Sequence, residues 1–219
     1  REQGYLSMHL EETTTNFAKY VAVWVALSVI LLLSPVLVRD RLHRVRALQW
    51  SSRQGRRTVD VQCAAGLLSA LALTAANLAV YGGLFVAQGP LALADTPLYS
   101  FVTSRFVWFD GTYGQYLLVL VALVAALGMA CGALALFLSR YSSTYVVMLL
   151  KATPLFVGAG ALFGSWLLDR TFYFREVFWG AGVLVPRFAE VACVAVLLLA
   201  ALLLCAWSCR RTRKQELLE

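Results

Sequence analysis

YGQYLLVLVALVAALGMACGALALFL, residues Tyr113 to Leu138, contains no charged side chain and a single amide, Gln115. No strand is that long, and its apolar residues do not alternate with polar ones as they must in a membrane barrel. Wound as a helix, rising about 1.5 Å per residue, it covers the bilayer's hydrocarbon thickness of about 30 Å.

Working outward from this run, four more of the same kind appear: Tyr20 to Val38, Val61 to Ala87, Tyr145 to Leu168 and Val191 to Trp207. The whole chain of 219 residues is 60% hydrophobic and 14% charged, with a mean hydropathy of +0.72. Soluble domains carry about 45–50% apolar and about 25% charged residues, so an ordinary soluble protein is excluded. The sequence predicts an all-α integral membrane protein, a polytopic bundle with five transmembrane helices in this chain.

The charges orient it. Residues 39 to 60 hold Arg39, Arg41, Arg44, Arg46, Arg53, Arg56 and Arg57 against Asp40 and Asp60; Arg140 and Lys151 follow the third run; and the tail holds Arg210, Arg211, Arg213 and Lys214 against Glu216 and Glu219. These segments together carry +9, and the alternate ones, 1 to 20, 88 to 112 and 169 to 190, carry −2. Lys and Arg stay on the cytoplasmic side, which places the N-terminus outside and the C-terminus inside. Three regions follow: an outer N-terminal segment 1–19, expected as the end of an extracellular domain; a transmembrane domain 20–209; and a basic cytoplasmic tail 210–219. The positive charge hugs the membrane boundaries without interleaved stacking aromatics, so nucleic acid is not the expected partner; the lipid membrane is.

Chemistry-bearing residues are few. The five cysteines, Cys63, Cys131, Cys193, Cys205 and Cys209, lie within or at the ends of apolar runs with no CxxC; they read as small hydrophobes in helix packing, although Cys205 and Cys209 share a helix face. His9 and His43 fall on opposite sides of the membrane. There is no GxxxxGK[ST], HExxH or GxSxG, so no catalytic residue and no metal site is expected, and a nucleotide driving this protein belongs on another chain.

The connection at residues 39–57, RDRLHRVRALQWSSRQGRR, is the most informative polar stretch. Asp40 to Ser51 lacks Gly and Pro and reads as a short cytoplasmic helix of mixed amphipathy, with Ser51, Ser52 and Gly55 supplying stop and turn chemistry. A transmembrane helix ending in Arg-Asp, then an Arg-rich amphipathic helix, then Ser-Ser-x-x-Gly-Arg-Arg, resembles the coupling-helix connection of ABC-2-type ABC transporter permeases. The resemblance implies a coupling helix at 40–53 seated on an ATP-binding subunit through Arg41, Leu42, Arg44, Val45, Arg46, Leu48, Gln49, Trp50, Ser51, Ser52 and Arg53. It implies a second permease subunit, as homo- or heterodimer, ATP and Mg on the partner ATPase with no cofactor here, a multi-pass location in the bacterial plasma membrane, and export of an amphipathic substrate such as a lipid, drug or antimicrobial peptide. The family pattern has six helices with both ends inside, so an upstream helix and outer domain are expected before Arg1.

Within the runs, Thr74, Asn77, Lys151 and Thr153 are the polar exceptions and are pathway candidates; helix-to-helix hydrogen bonding for Thr74 and Asn77, and snorkelling for Lys151, are the plainer readings. Pro35 and Pro154 interrupt two runs, and Gly128-x-x-x-Gly132 and Gly160-x-x-x-Gly164 permit close helix contact without naming the partner. Segment 170–189, with Phe172, Phe174, Phe178 and Trp179, is too apolar for a free loop and too short to span. It is expected to re-enter the outer leaflet as a short helix or two; by position in the family it lines the outer gate, and interfacial anchoring fits the same residues. Two other classes remain open: an integral membrane enzyme acting on lipid, and a non-transporting scaffold or channel.

Overall fold

The computed structural model describes residues 8–42, 55–100, 111–162, 176–178, 181–183 and 189–215. Its helices are α1 (Met8–Leu42), α2 (Gly55–Ala87), α3 (Tyr113–Arg140), α4 (Tyr145–Leu162) and α5 (Ala189–Gln215). Two 3-10 turns, Pro90–Leu93 and Leu98–Ser100, lie between α2 and α3.

Among the described residues, four stretches are long and apolar enough to cross a membrane: Thr13–Leu33, Val61–Ala87, Tyr113–Arg140 and Val191–Arg211. The chain is thus a multi-pass membrane protein. The fourth run, Tyr145 to Leu168, contains α4, continuous through Pro154, whose apolar portion among the described residues is Tyr145–Gly158. Ahead of the Tyr20 read from hydropathy, α1 already carries a threonine run that is not left to lipid. Thr14 and Thr15 are buried, and their hydroxyls meet Tyr113 OH and Tyr116 OH, each at 2.7 Å. Residues 8–19, set apart in the sequence reading as an outer segment, are the opening turns of α1.

Helix α3 is the centre of the bundle: half of its span is buried, against 22% for those of α2 and α5, and α1, α2, α4 and α5 all pack on it. Small residues set the closest approach. A Cβ on Gly132 would stand 2.5 Å from Ala70 Cβ, one on Gly128 2.5 Å from Thr74 Oγ1, and one on Gly66 2.7 Å from a Leu136 methyl. Gly66, Ala70 and Thr74 of α2 therefore face Leu136, Gly132 and Gly128 of α3 in antiparallel register, four residues per step on each helix. Val25 and Val29 of α1 close on the same two α3 glycines. Without a hydrophobic force between helices in lipid, such small-residue stripes let backbones approach and gain dispersion contact. The outward faces stay apolar: Leu68, Leu118, Leu150 and Leu203 are all exposed on the bundle surface, as lipid requires.

At its N-terminus α3 carries a capping box. Thr112 Oγ1 accepts from Gln115 N, while Gln115 Oε1 accepts from Thr112 N. The preceding loop is tied to it by backbone bonds from Leu98 N to Gly111 O, Tyr113 N to Thr96 O and Gly114 N to Ala94 O. Helix α2 stops where Gly89 takes a left-handed φ of 87° just before Pro90, a conformation that costs glycine little.

Within segment 170–189 the described residues before α5 form β1 (Glu176–Phe178) and β2 (Ala181–Val183), paired antiparallel with Val177 opposite Gly182. This differs from the short helices expected there. Val177 and Val183 are β-branched and Gly182 is a poor helix former, which suits a two-strand ladder better than a helical turn.

Candidate functional site: thiols and an arginine at one end of the bundle

The antiparallel register of α2 on α3 carries the chain from Gly66 opposite Leu136 to Cys63 beside Arg140, and α5 runs past the same point. Cys205 and Cys209, one turn apart on α5, face Cys63, so that the three Sγ atoms lie within 4.8 Å of one another. Cys63 Sγ and Cys209 Sγ are 2.7 Å apart. Arg140 Nη1 donates to Cys209 Sγ at 3.2 Å and approaches Cys63 Sγ at 3.8 Å. All four side chains are at most 9% exposed. The thiols sit in their own apolar cluster with Ala130, Ala133, Leu136 and Ala201, distinct from the main core that α1 builds with α3 from Tyr113 to Ala135.

Polar groups ring this end. Ser208 Oγ donates to Tyr141 OH at 3.3 Å, Ser142 Oγ donates to Leu138 O at 2.7 Å, and Lys151 Nζ donates to Tyr141 O at 3.0 Å. On the same stretch of α5, the Arg211 guanidinium, two residues past Cys209, lies over the Trp207 ring, 5.2 Å from its centroid, an arrangement suited to a membrane interface. Three soft, polarizable ligands beside one fixed cation can bind a thiophilic ion, exchange protons, or join in a disulfide.

The four pathway candidates do not converge. Thr74 is buried at the α2–α3 crossing with no hydrogen-bond partner for its Oγ1; Asn77 Nδ2 donates to Ser28 Oγ of α1 at 3.1 Å and to Leu73 O at 2.8 Å. Thr153, exposed, donates to Leu149 O at 2.8 Å within its own helix, and Lys151 is exposed at the Arg140 end. Asn77 thus makes the helix-to-helix bond expected of it, whereas Thr74 fills space against Gly128. Of the expected coupling-helix residues, Arg41 and Leu42 belong to the last turn of α1; Arg44, Val45, Arg46, Leu48, Gln49, Trp50, Ser51, Ser52 and Arg53 lie outside the described residues. Among the outer-gate candidates Phe178 ends β1, and Phe172, Phe174 and Trp179 lie outside the described residues.

Sequence reasoning missed the thiol site. The shared face of Cys205 and Cys209 was a signal, but Cys63 is 146 positions from Cys209, and only the register of α2 beside α5 unites them. It also missed the Thr14–Tyr113 and Thr15–Tyr116 pairs, which span 99 and 101 positions. Compared with protein-family models, curated proteins and solved structures, the chain gives no match, so its function is argued from these residues alone.

Proposed function

We propose that this chain is the membrane-spanning permease subunit of an ATP-driven exporter of the ABC-2 type, crossing the bacterial plasma membrane five times with its N-terminus outside. The observation that carries the reading is the gathering of basic segments at one end of the bundle. The end of α1 with Arg39 and Arg41, the start of α2 with Arg56 and Arg57, Arg140, Lys151, and the last turns of α5 with Arg210, Arg211, Arg213 and Lys214 share that end. By the retention of positive charge this end is cytoplasmic. The Arg-rich connection from α1 to α2 then faces a soluble partner, and its Trp and Arg residues are of the types that dominate interface energetics.

In this reading a second permease subunit, identical or different, and two ATP-binding subunits complete the assembly, with ATP and Mg held by the latter. Closure of the ATPase pair moves the 40–53 segment, which is continuous at one side with α1 and at the other with α2, the two helices that press on Gly128 and Gly132 of α3. Opposite the basic end, a cavity of about 80 Å³ between α1, α2 and α3, lined by Phe17, Leu78, Phe85 and Leu117 among others, suits the apolar part of an amphipathic substrate.

The test is isolation of the tagged chain from its native membranes in mild detergent, wild type beside the double variant Trp50→Ala, Arg46→Ala, with identification of accompanying proteins. The expected outcome is an ATP-binding subunit that accompanies the wild type and is lost from the variant. Absence of any ATPase after cross-linking overturns the proposal and favours a lipid-directed membrane enzyme or a scaffold.

A further inference from the structure

We propose that Cys63, Cys205 and Cys209 form a three-thiolate site for a thiophilic d10 metal ion, Cu(I) or Zn(II), that clamps α2 to α5 against the end of α3. The inference does not depend on transport; it takes from the proposed function only that this end of the bundle faces the cytoplasm.

The geometry is close to what an ion needs. A metal–sulfur bond of about 2.3 Å sets three ligating sulfurs roughly 4 Å apart around one ion, and the three Sγ atoms already lie within 4.8 Å of one another. Cys63 and Cys209, at 2.7 Å, have to part by about 1 Å to bracket the ion, a movement within reach of small χ1 adjustments. The ligands come from two different helices, so an ion here joins elements that contact each other little apart from their shared packing on α3.

The donor set selects the ion. Thiolates favour Cu(I) and Zn(II), while Mg, Ca and Mn prefer oxygen ligands; the group contains no His, Asp or Glu among the described residues. Binding releases protons: one Zn(II) and three thiols give a tri-thiolate complex of charge −1 and three protons, and Cu(I) gives −2 with the same release. Buried charge of that sign needs an opposite charge beside it, and the Arg140 guanidinium stands 3.2 Å from Cys209 Sγ. Hydrophobic packing accounts for three small side chains; it does not require their sulfurs to converge within 4.8 Å of one another beside a guanidinium. The alternative covalent use, a Cys63–Cys209 disulfide, is disfavoured on the reducing cytoplasmic side. Cys131, buried in the main core, and Cys193, exposed on α5, supply internal controls.

The experiment uses the full chain in detergent, kept reduced and made metal-free, and titrated separately with Zn(II) and with Cu(I) against a chromophoric chelator. One equivalent of at least one ion is expected per chain. Cys205→Ser and Cys209→Ser are each expected to weaken binding 100-fold or more, Arg140→Gln about tenfold as a neighbour that tunes the ligands, and Cys131→Ala not at all. Because a substitution at Cys63 risks the helix packing, a second measurement uses wild type alone: the bound ion should protect Cys63, Cys205 and Cys209 from maleimide, read by mass spectrometry, while Cys193 is labelled with or without it. Failure of both ions to bind, equal weakening by Cys131→Ala, or a Cys63–Cys209 disulfide in protein alkylated in its native membranes overturns the proposal. These outcomes are independent of whether an ATPase accompanies the chain.

Discussion

The two ends of α3 are held by different chemistry. At Tyr113, backbone bonds to Ala94, Thr96 and Leu98, a capping box, and two hydroxyl pairs to Thr14 and Thr15 give the polar groups involved fixed partners. At Arg140 the same helix meets three sulfurs, one of them 3.2 Å from the guanidinium; as thiolates such sulfurs are ligands for soft ions. Oxygen and nitrogen donors in a ladder define one geometry, whereas thiols tolerate several and change state with metal or redox conditions. The contrast teaches that one end of this bundle is built to stay and the other to respond.

Breaking the helix seam that lies between the two ends is expected to have the largest effect. Gly132→Leu drives a side chain into Ala70 and Val29, and overpacking of this kind costs about 3 kcal/mol; thermal unfolding in detergent should fall sharply and both ends should loosen together. Gly83→Ala, where an added Cβ meets nothing within 4 Å, is expected to leave stability unchanged or raise it by about 0.5–1 kcal/mol through helix propensity. If the two variants behave alike, the small-residue register is not what holds the bundle.

Next comes the Tyr113 end itself. Tyr113→Phe combined with Tyr116→Phe removes both hydroxyl pairs at the cost of about 0.6 kcal/mol each, the average for side-chain bonds between membrane helices. Hydrogen exchange at the start of α1 and α3 should quicken while the reactivity of Cys205 and Cys209 toward maleimide stays as in wild type. A parallel change in thiol reactivity would show that the ends are coupled rather than independent. The smallest effect is expected at Thr74→Val, which replaces a buried hydroxyl lacking a partner by a methyl group of the same shape. Loss of an unmade bond costs nothing, so stability should hold or rise by up to about 1 kcal/mol; a loss above 1 kcal/mol would reveal a partner for that oxygen.

The spans were legible because each is a property of contiguous residues: Tyr113 to Leu138 reads from hydropathy within two residues of the ends of α3. The burial of Thr14 and Thr15 was not, since they score as polar and their acceptability in the bundle depends on tyrosines 99 and 101 positions away. Gly128 and Gly132 announced a close crossing, but the partner stripe of Gly66, Ala70 and Thr74 emerges only when the register is fixed. Arg140 was legible as a charge that sets topology; that it also faces sulfur depends on where α2 begins and α5 ends, which no local pattern encodes. The ladder at Glu176–Phe178 and Ala181–Val183 was hidden by an aromatic-rich composition common to interfacial helices and strands alike.

The stripe of Gly66, Ala70 and Thr74 against Leu136, Gly132 and Gly128 has a mechanical meaning. Its teeth are four residues apart, so α2 cannot creep along α3: a partial slide sets bulk against bulk. Small meets small again only after a full step of about 6 Å, when Gly66 reaches Gly132 and Ala70 reaches Gly128. Travel along this seam is therefore digital, one notch or none.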